Sequence, residues 1–498
     1  METRLGTVIS TIDSPNTNEF YFVAEEKDKV KKGRFVEVLT KEGVLIGRIE
    51  ELVIANRYFM QPETIANYDV SISSHFPTEK WEYLMCKVRA LGILGELTRR
   101  ANYPASPGKD VLPAKEENLK KIFRFRDEGL HLGSLIGHDV LVKLDLNRLF
   151  QKHLAVLALS GAGKSYATAV LVEELLGRSE EQGRVGLIVF DPHGEYSAFA
   201  YDEKFSAKSR LIRGKDIRIG LPTLSPHYLE VFLPHLSFPQ KRDLIRAFEG
   251  LKKGEDVFSL KELSQAVIGD DSIKQATKDI LLSSIDSLER QNIFGYYDEP
   301  SVAMAVSPGK ITVFDVSDLM SRTKMQMIAA YFLGELFNRR ISASVPPFIA
   351  FIEEAHNFAP EKSSKTNFSK PVIERIAREG RKFNAIVCLI SQRPVRLSTT
   401  ALSQCNTHMY LRITNPYDKK HIGESSEGLT PELLNAITSL EVGEAVLVGE
   451  ASQFPLFVKV REKKVCDAKG GKSLEEECRG YSQKKAKDRK SASDLMKE

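Results

Sequence analysis

The chain has 498 residues, of which 42% are hydrophobic and 28% charged, with a formal net charge of +4. That length exceeds one hydrophobic core, and the composition excludes a disordered or fibrous chain. The small net charge excludes a uniformly basic, histone-like surface, so any nucleic-acid contact must be local. Five cysteines without C-x-x-C spacing (Cys86, Cys388, Cys405, Cys466, Cys478) argue against a disulfide framework or zinc site and fit a reducing compartment. No apolar leader and no membrane-length apolar run are present, so a cytoplasmic protein without a membrane partner is expected.

Residues 1–146 read as a β-rich domain. Short alternating or β-branched segments recur at 5–9, 20–24, 35–39, 44–49, 52–55 and 140–144, punctuated by Ser14-Pro15-Asn16, Lys32-Gly33 and Lys41-Glu42-Gly43. Many short strands with glycine-bearing turns predict a small barrel, with 101–114 as a proline-rich loop beside it. From 147 to 465 longer strands alternate with helices, which predicts a mostly parallel α/β sheet with helices on both faces. Its strands are expected at 153–159, 185–190, 311–316, 348–352, 385–390 and 409–413. Residues 222–300 form a helical insertion, in which Ile273, Ala276, Ile280 and Leu288 fall near helical spacing. The tail, 466–498, is charged and lacks a core; Arg479, Lys484, Lys485, Lys487, Arg489 and Lys490 make it locally basic.

The apolar run 153–159 leads into Ser160, Gly161, Ala162, Gly163, Lys164, Ser165 and Tyr166, and a helix-like stretch to 176 follows. Strand, glycine turn and helix start make a nucleoside triphosphate cradle. Turn N–H groups and the positive helix end receive phosphates, Lys164 reaches the β/γ oxygens and Ser165 holds Mg²⁺. The first glycine of the G-x-x-x-x-G-K-[ST] pattern is replaced by Ala158.

Residues 348–352 deliver Glu353 and Glu354 at the end of a second apolar strand, the edge where open α/β sheets bind ligands. Strand alternation is expected to send the two carboxylates in different directions. Glu353 would orient Mg²⁺ or its waters, and Glu354 would polarise the attacking water. The first of such a pair is commonly Asp. Asp191, after another apolar strand, is either part of this site or an ordinary turn opener. Gln392, ending the strand 385–390, is either a loop glutamine or a neutral γ-phosphate sensor. Arg375, Arg378, Arg381 and Lys382 lie on a predicted helix over 371–382. They are a solvated face, with a Glu374–Arg378 pair, or they include an arginine finger. The loop carrying Lys362, Lys365 and Lys370 suits a phosphodiester backbone and equally a plain surface; 415–421 raises the same question.

In order and combination these segments resemble the HerA branch of the HerA–FtsK family of ring-shaped DNA translocases. The resemblance rests on Gly161-Ala-Gly-Lys-Ser, Asp191-Pro-His-Gly-Glu-Tyr, Ile352-Glu-Glu-Ala-His, Glu379-Gly-Arg-Lys-Phe and Ser391-Gln-Arg-Pro, behind a β-rich N-terminal segment. It implies a HAS-barrel-like domain and a RecA-like core. It also implies ATP and Mg²⁺ as cofactors, Glu354 as the water-activating base, Gln392 as γ-phosphate sensor and Arg381 as arginine finger. A hexamer on DNA is implied, working with a NurA-type nuclease in resection of DNA breaks. A P-loop small-molecule kinase and a nucleotide-bound scaffold ring that recruits a nuclease without translocating are the competing readings. The 190-residue separation of Lys164 from Glu354 suits a motor better than a compact kinase.

Overall fold

The computed structural model describes residues 4–12, 14–56, 82–95, 99–254, 256–362, 364–425, 429–466, 475 and 478–481. Six N-terminal strands form a closed antiparallel barrel: β1 (Gly6–Ile9), β2 (Glu19–Ala24), β3 (Phe35–Thr40), β4 (Gly43–Asn56), β5 (Glu82–Leu94) and β6 (Asp110–Pro113). They pair in the order β1-β2-β5-β4-β3-β6, with β6 closing on β1. Alternation sets the interior: Phe20, Phe22, Val36, Val38, Leu45, Ile49, Cys86, Val88 and Val111 share one core. Among the described residues closure leaves no free strand edge in the barrel.

Three details differ from the sequence reading. Segments 44–49 and 52–55 are one strand, β4, carried through a register shift between Ile49 and Glu51. Such a bulge bends a long strand around a small barrel. Strand β5 was not anticipated, and β6 lies inside the stretch read as a loop, its Val111 and Leu112 paired to β3.

The second body is a sheet of eleven strands. It contains β7 (Leu130–Leu135), β8 (Leu141–Leu144), β9 (Leu154–Leu157), β10 (Gly186–Asp191) and β11 (Ser209–Arg213). A separate short pair follows, β12 (Ile219–Gly220) with β13 (Phe294–Gly295). The large sheet continues with β14 (Ile311–Asp315), β15 (Phe348–Ile352), β16 (Ala385–Ser391), β17 (Thr407–Tyr410), β18 (Glu444–Gly449) and β19 (Leu456–Val460). Its order is β11-β14-β10-β15-β16-β9-β17-β18-β19-β7-β8. The run from β11 to β17 is parallel, and pairings from β17 to β8 are antiparallel. The 140–144 segment, grouped by sequence with the barrel, is therefore β8 of this sheet. Periodicity marks a strand, and only pairing decides its sheet.

Central strands β9, β10, β15 and β16 are buried along their whole length, as strands covered on both faces must be. Phe190 stacks on Phe314 at 5.0 Å, and Phe314 meets Phe332 of the helix Arg322–Ile341 at 4.9 Å. The helix Lys164–Gly177 is apolar nearly all round and lies inside the molecule.

Between β12 and β13 stand the helices Pro226–Phe232, Phe238–Gly254, Leu260–Gly269 and Gln275–Glu289. In the last, Leu281, Ile285 and Leu288 face inward, whereas Ile280 is exposed. A capping box of Ser259 and Glu262 starts the third helix. In the tail, Arg479 pairs with Glu475. Lys484, Lys485, Lys487, Arg489 and Lys490 lie outside the described residues. Among the described residues no helix is long and apolar enough to cross a membrane.

His408 on β17 is buried and stacked on Tyr410, and among the described residues its Nε2 has no partner. Burial lowers its pKa from 6.5 to about 4. The unfolded chain therefore binds this proton first, and stability falls as pH drops from 6.5 towards 4. Between pH 7 and pH 5 wild type should lose about 2 kcal/mol that His408→Phe does not lose. Urea denaturation of both proteins at the two pH values measures the difference.

Candidate active site

Parallel strands β10, β15, β16 and β9 are neighbours, so their C-terminal ends gather at one sheet edge. After β9 the chain turns through Gly161 (φ 77°) and Gly163 (φ 94°) into the helix beginning at Lys164. These left-handed conformations are the reason for glycine at both positions. A Cβ on Gly161 would meet nothing within 4 Å, so the cradle is open there. Among the described residues no side chain caps the helix, which leaves its first-turn N–H groups to a ligand. Ser160 and Gly161 are exposed, Ala162 is buried, and Ser165 and Tyr166 are half-buried. Ala158 lies outside the residues with positive φ, and its methyl is packed in the core. A glycine is not required at that position.

Lys164 Nζ donates to Glu353 Oε1 and to Glu354 Oε1. The expectation that the two carboxylates diverge is corrected: both meet Lys164. Strand β15 ends at Ile352, and Glu354 adopts φ 48°, so alternation does not extend to it. Their second oxygens do part. Glu353 Oε2 accepts from Tyr196 Oη (3.0 Å). Glu354 Oε2 accepts from Gln392 N (3.4 Å) and lies 3.1 Å from His356 Nδ1.

The two carboxyls consequently differ in charge behaviour. Burial pushes Glu353 up to about 7 against the pull of Lys164. Burial also pushes Glu354 up, but the His356 hydrogen bond and the Lys164 charge outweigh it and hold it at about 2. Desolvation opposes the charge of Lys164, yet the two glutamates raise its pKa. Glu354 is thus ionised at neutral pH and held against Lys164.

Asp191 is an anchor of the turn after β10. It is fully buried and accepts from the N–H groups of His193, Gly194 and Tyr196, while burial raises its pKa to about 6. His193 is exposed. This turn seats Tyr196, the group that holds Glu353. Tyr196 and His356 both stand in motifs visible in the sequence, but no spacing shows that their side chains reach β15 and the end of β16. Only the strand order β10-β15-β16 brings them together.

Arg381 lies elsewhere. It sits in the turn Gly380–Phe383 that precedes β16, at the opposite end of that strand from Gln392. Its neighbours are engaged: Arg375 with Glu379, Asn338 and the Phe337 ring, and Arg378 with Glu374. Arg381 is exposed, and among the described residues its side chain has no ion pair or hydrogen bond. Lys362 and Lys365 are exposed on the loop after β15, whereas Lys370 is half-buried and donates to Glu361 O (2.8 Å). Tyr166 Oη accepts from Lys463 N (2.8 Å), and Arg461 pairs with Glu173 and Glu174. The segment leading to the tail is thereby fastened along the helix of the cradle.

The family model described as the helicase HerA central domain matches residues 130–336. The chain is 32% identical over 409 residues to a DNA double-strand break repair helicase HerA of Saccharolobus solfataricus, covering 76% of this chain and 77% of the relative. A probable helicase of Methanocaldococcus jannaschii is 30% identical over 477 residues, covering 90% of each chain. In fold the chain is similar to VirB4 of Thermoanaerobacter pseudethanolicus, with TM-score 0.52 and 17% identity over 68% of this chain and 98% of that one. The bacterial conjugative coupling protein TrwB gives TM-score 0.50 and 13% identity over 72% of this chain and 94% of that one. On the extent and identity of the match to its curated relatives, this chain belongs to the HerA family of helicases.

Proposed function

We propose that this chain is an ATP-driven DNA translocase or helicase that works as a ring, with ATP held between neighbouring subunits. The observation that carries the reading is the split of the reaction groups. Lys164, Glu354 and Gln392 lie at one sheet edge, and the unengaged Arg381 lies at the other. The naming of relatives as DNA double-strand break repair helicases supports DNA as the substrate.

Ser160 to Tyr166 would cradle the triphosphate, with first-turn N–H groups and Lys164 on its oxygens. Ser165 and Glu353 are the hydroxyl and carboxylate oxygens that would hold Mg²⁺, a hard cation suited to such donors. The metal, when bound, supplies neutralisation of phosphate charge. Glu354 accepts the proton of the attacking water, and Gln392 holds that water or the γ-phosphate without adding charge. Arg381 of one subunit completes the site of the next, which makes a ring the functional unit, a hexamer by family resemblance. Lys362 and Lys365 offer sequence-independent phosphate contacts; Lys370 serves the same surface from the foot of its loop. Partnership with a NurA-type nuclease in break resection completes the proposal, in a cytoplasmic setting.

ATP hydrolysis with and without linear duplex DNA tests this reading. Wild type should be stimulated by DNA, and Lys164→Ala should abolish both rates. Hydrolysis indifferent to DNA would remove the translocase and favour a scaffold ring; phosphoryl transfer to a metabolite would favour a kinase.

A further inference from the structure

The exit of β16 joins the reacting carboxylate to the basic loop through consecutive hydrogen bonds. On the site side, Gln392 N donates to Glu354 Oε2 (3.4 Å), His356 Nδ1 shares a hydrogen bond with Ser391 Oγ (3.1 Å), and Arg393 N donates to the same Oγ (3.0 Å). Four residues on, the chain runs beside 359–361. Ser398 N donates to Ala359 O and Glu361 N to Arg396 O, both at 2.8 Å, and Pro360 bridges Leu397 antiparallel.

Glu361 pins this junction with both side chain and backbone. Its Oε2 accepts from Thr399 N (2.7 Å), and its carbonyl accepts from Lys370 Nζ (2.8 Å). At the far foot of the loop, Ser398 Oγ donates to Glu374 Oε1 (2.6 Å). Both feet of the loop that presents Lys362 and Lys365 therefore stand on the segment leaving the nucleotide site. The same segment holds a second basic element: Val395 N donates to Asp418 Oδ1 (3.3 Å) in the helix Pro416–Ser425, which exposes Tyr417 and Lys420.

We propose that Glu361 is a positioning residue that couples the nucleotide site to nucleic-acid phosphate binding by Lys362 and Lys365. The inference rests on the translocase reading above. A triphosphate in the cradle competes with Glu354 for Lys164, and any shift of Glu354 is felt at Gln392 N. The turn after Gln392 then carries the loop feet, because hydrogen bonds tie them to it. Without the Glu361 carboxylate the lysines remain to bind DNA, but one pin between loop and turn is lost. Coupling of this kind is reciprocal, so DNA changes nucleotide affinity by the factor with which nucleotide changes DNA affinity.

The test uses the full-length protein as wild type, Glu361→Ala and Glu361→Gln. Three quantities are read: ATP hydrolysis without DNA, hydrolysis with saturating linear duplex, and affinity for a fluorescein-labelled duplex by anisotropy. Glu361→Ala should keep the DNA-free rate and the duplex affinity while its stimulation by DNA falls roughly fivefold, the net scale of one hydrogen bond. Glu361→Gln, whose amide oxygen still accepts from Thr399 N, should restore stimulation. Undiminished stimulation in Glu361→Ala overturns the proposal. So does a DNA-free rate that falls in step with the stimulated rate, which marks a merely structural role. Wild type unresponsive to DNA is the separate failure of the translocase reading, and the coupling fails with it.

Discussion

Arg381→Ala is expected to lower ATP hydrolysis by roughly 10³-fold or more, the loss that accompanies removal of an arginine finger acting in trans. In its own subunit the residue stands away from Lys164 and Glu354. Strand β16 separates it from Gln392, and seven residues of strand span about 20 Å. Arg381→Ala subunits keep the cradle, and Lys164→Ala subunits keep the finger. Mixed in one ring, they place an intact cradle beside an intact finger at a fraction of the interfaces. Neither variant alone should hydrolyse ATP, and the mixture should recover part of the activity. Full activity of Arg381→Ala, or no recovery on mixing where co-purification of differently tagged subunits shows mixed rings, would remove the finger from this residue.

Glu354→Gln is the second large effect. The glutamine keeps the shape of the side chain and loses the proton acceptor, so turnover should fall by ~10²–10⁴-fold. Nucleotide binding should persist, because Lys164 and the turn N–H groups are untouched and one negative charge facing the phosphates is gone. Isothermal titration with a non-hydrolysable ATP analogue, set beside turnover, separates the two effects. Glu353→Gln should differ in kind: its main expected effect is a higher Mg²⁺ concentration for half-maximal rate. Equal losses in both variants, with the same Mg²⁺ requirement, would contradict the division of labour that their different surroundings imply.

What sequence reveals here follows the reach of each interaction. The cradle was legible because turn, lysine and helix start are consecutive. The placing of Glu353, Glu354 and Gln392 at one sheet edge is legible because apolar runs announce buried strands whose ends share that edge. The convergence of both glutamates on Lys164 was not legible, since it depends on one left-handed backbone at Glu354. Tyr196 needed the placement of β10 next to β15, a pairing between residues more than 150 positions apart. Strand β6 was missed because four residues beside prolines carry too little periodicity, and β5 because its alternation is broken where it crosses the β4 bulges. The unengaged state of Arg381 could be read only after its neighbours had found partners.

The antiparallel flank of the large sheet has a practical consequence for dissecting the molecule. Strand β19, from the C-terminal side, is covered by β7 and β8, which precede the cradle by some twenty residues. A fragment cut between β8 and β9 would strip β19 of its partner and present a row of unpaired amides to other molecules. It should be recovered as aggregate, whereas a fragment beginning ahead of β7 keeps its seam closed. The barrel is fastened to that seam, with the Arg48 guanidinium 3.6 Å over the Phe457 ring and Phe35 N donating to His138 Nε2. Barrel and sheet therefore meet at side-chain and backbone contacts on that seam, so a cut there would expose both faces at once.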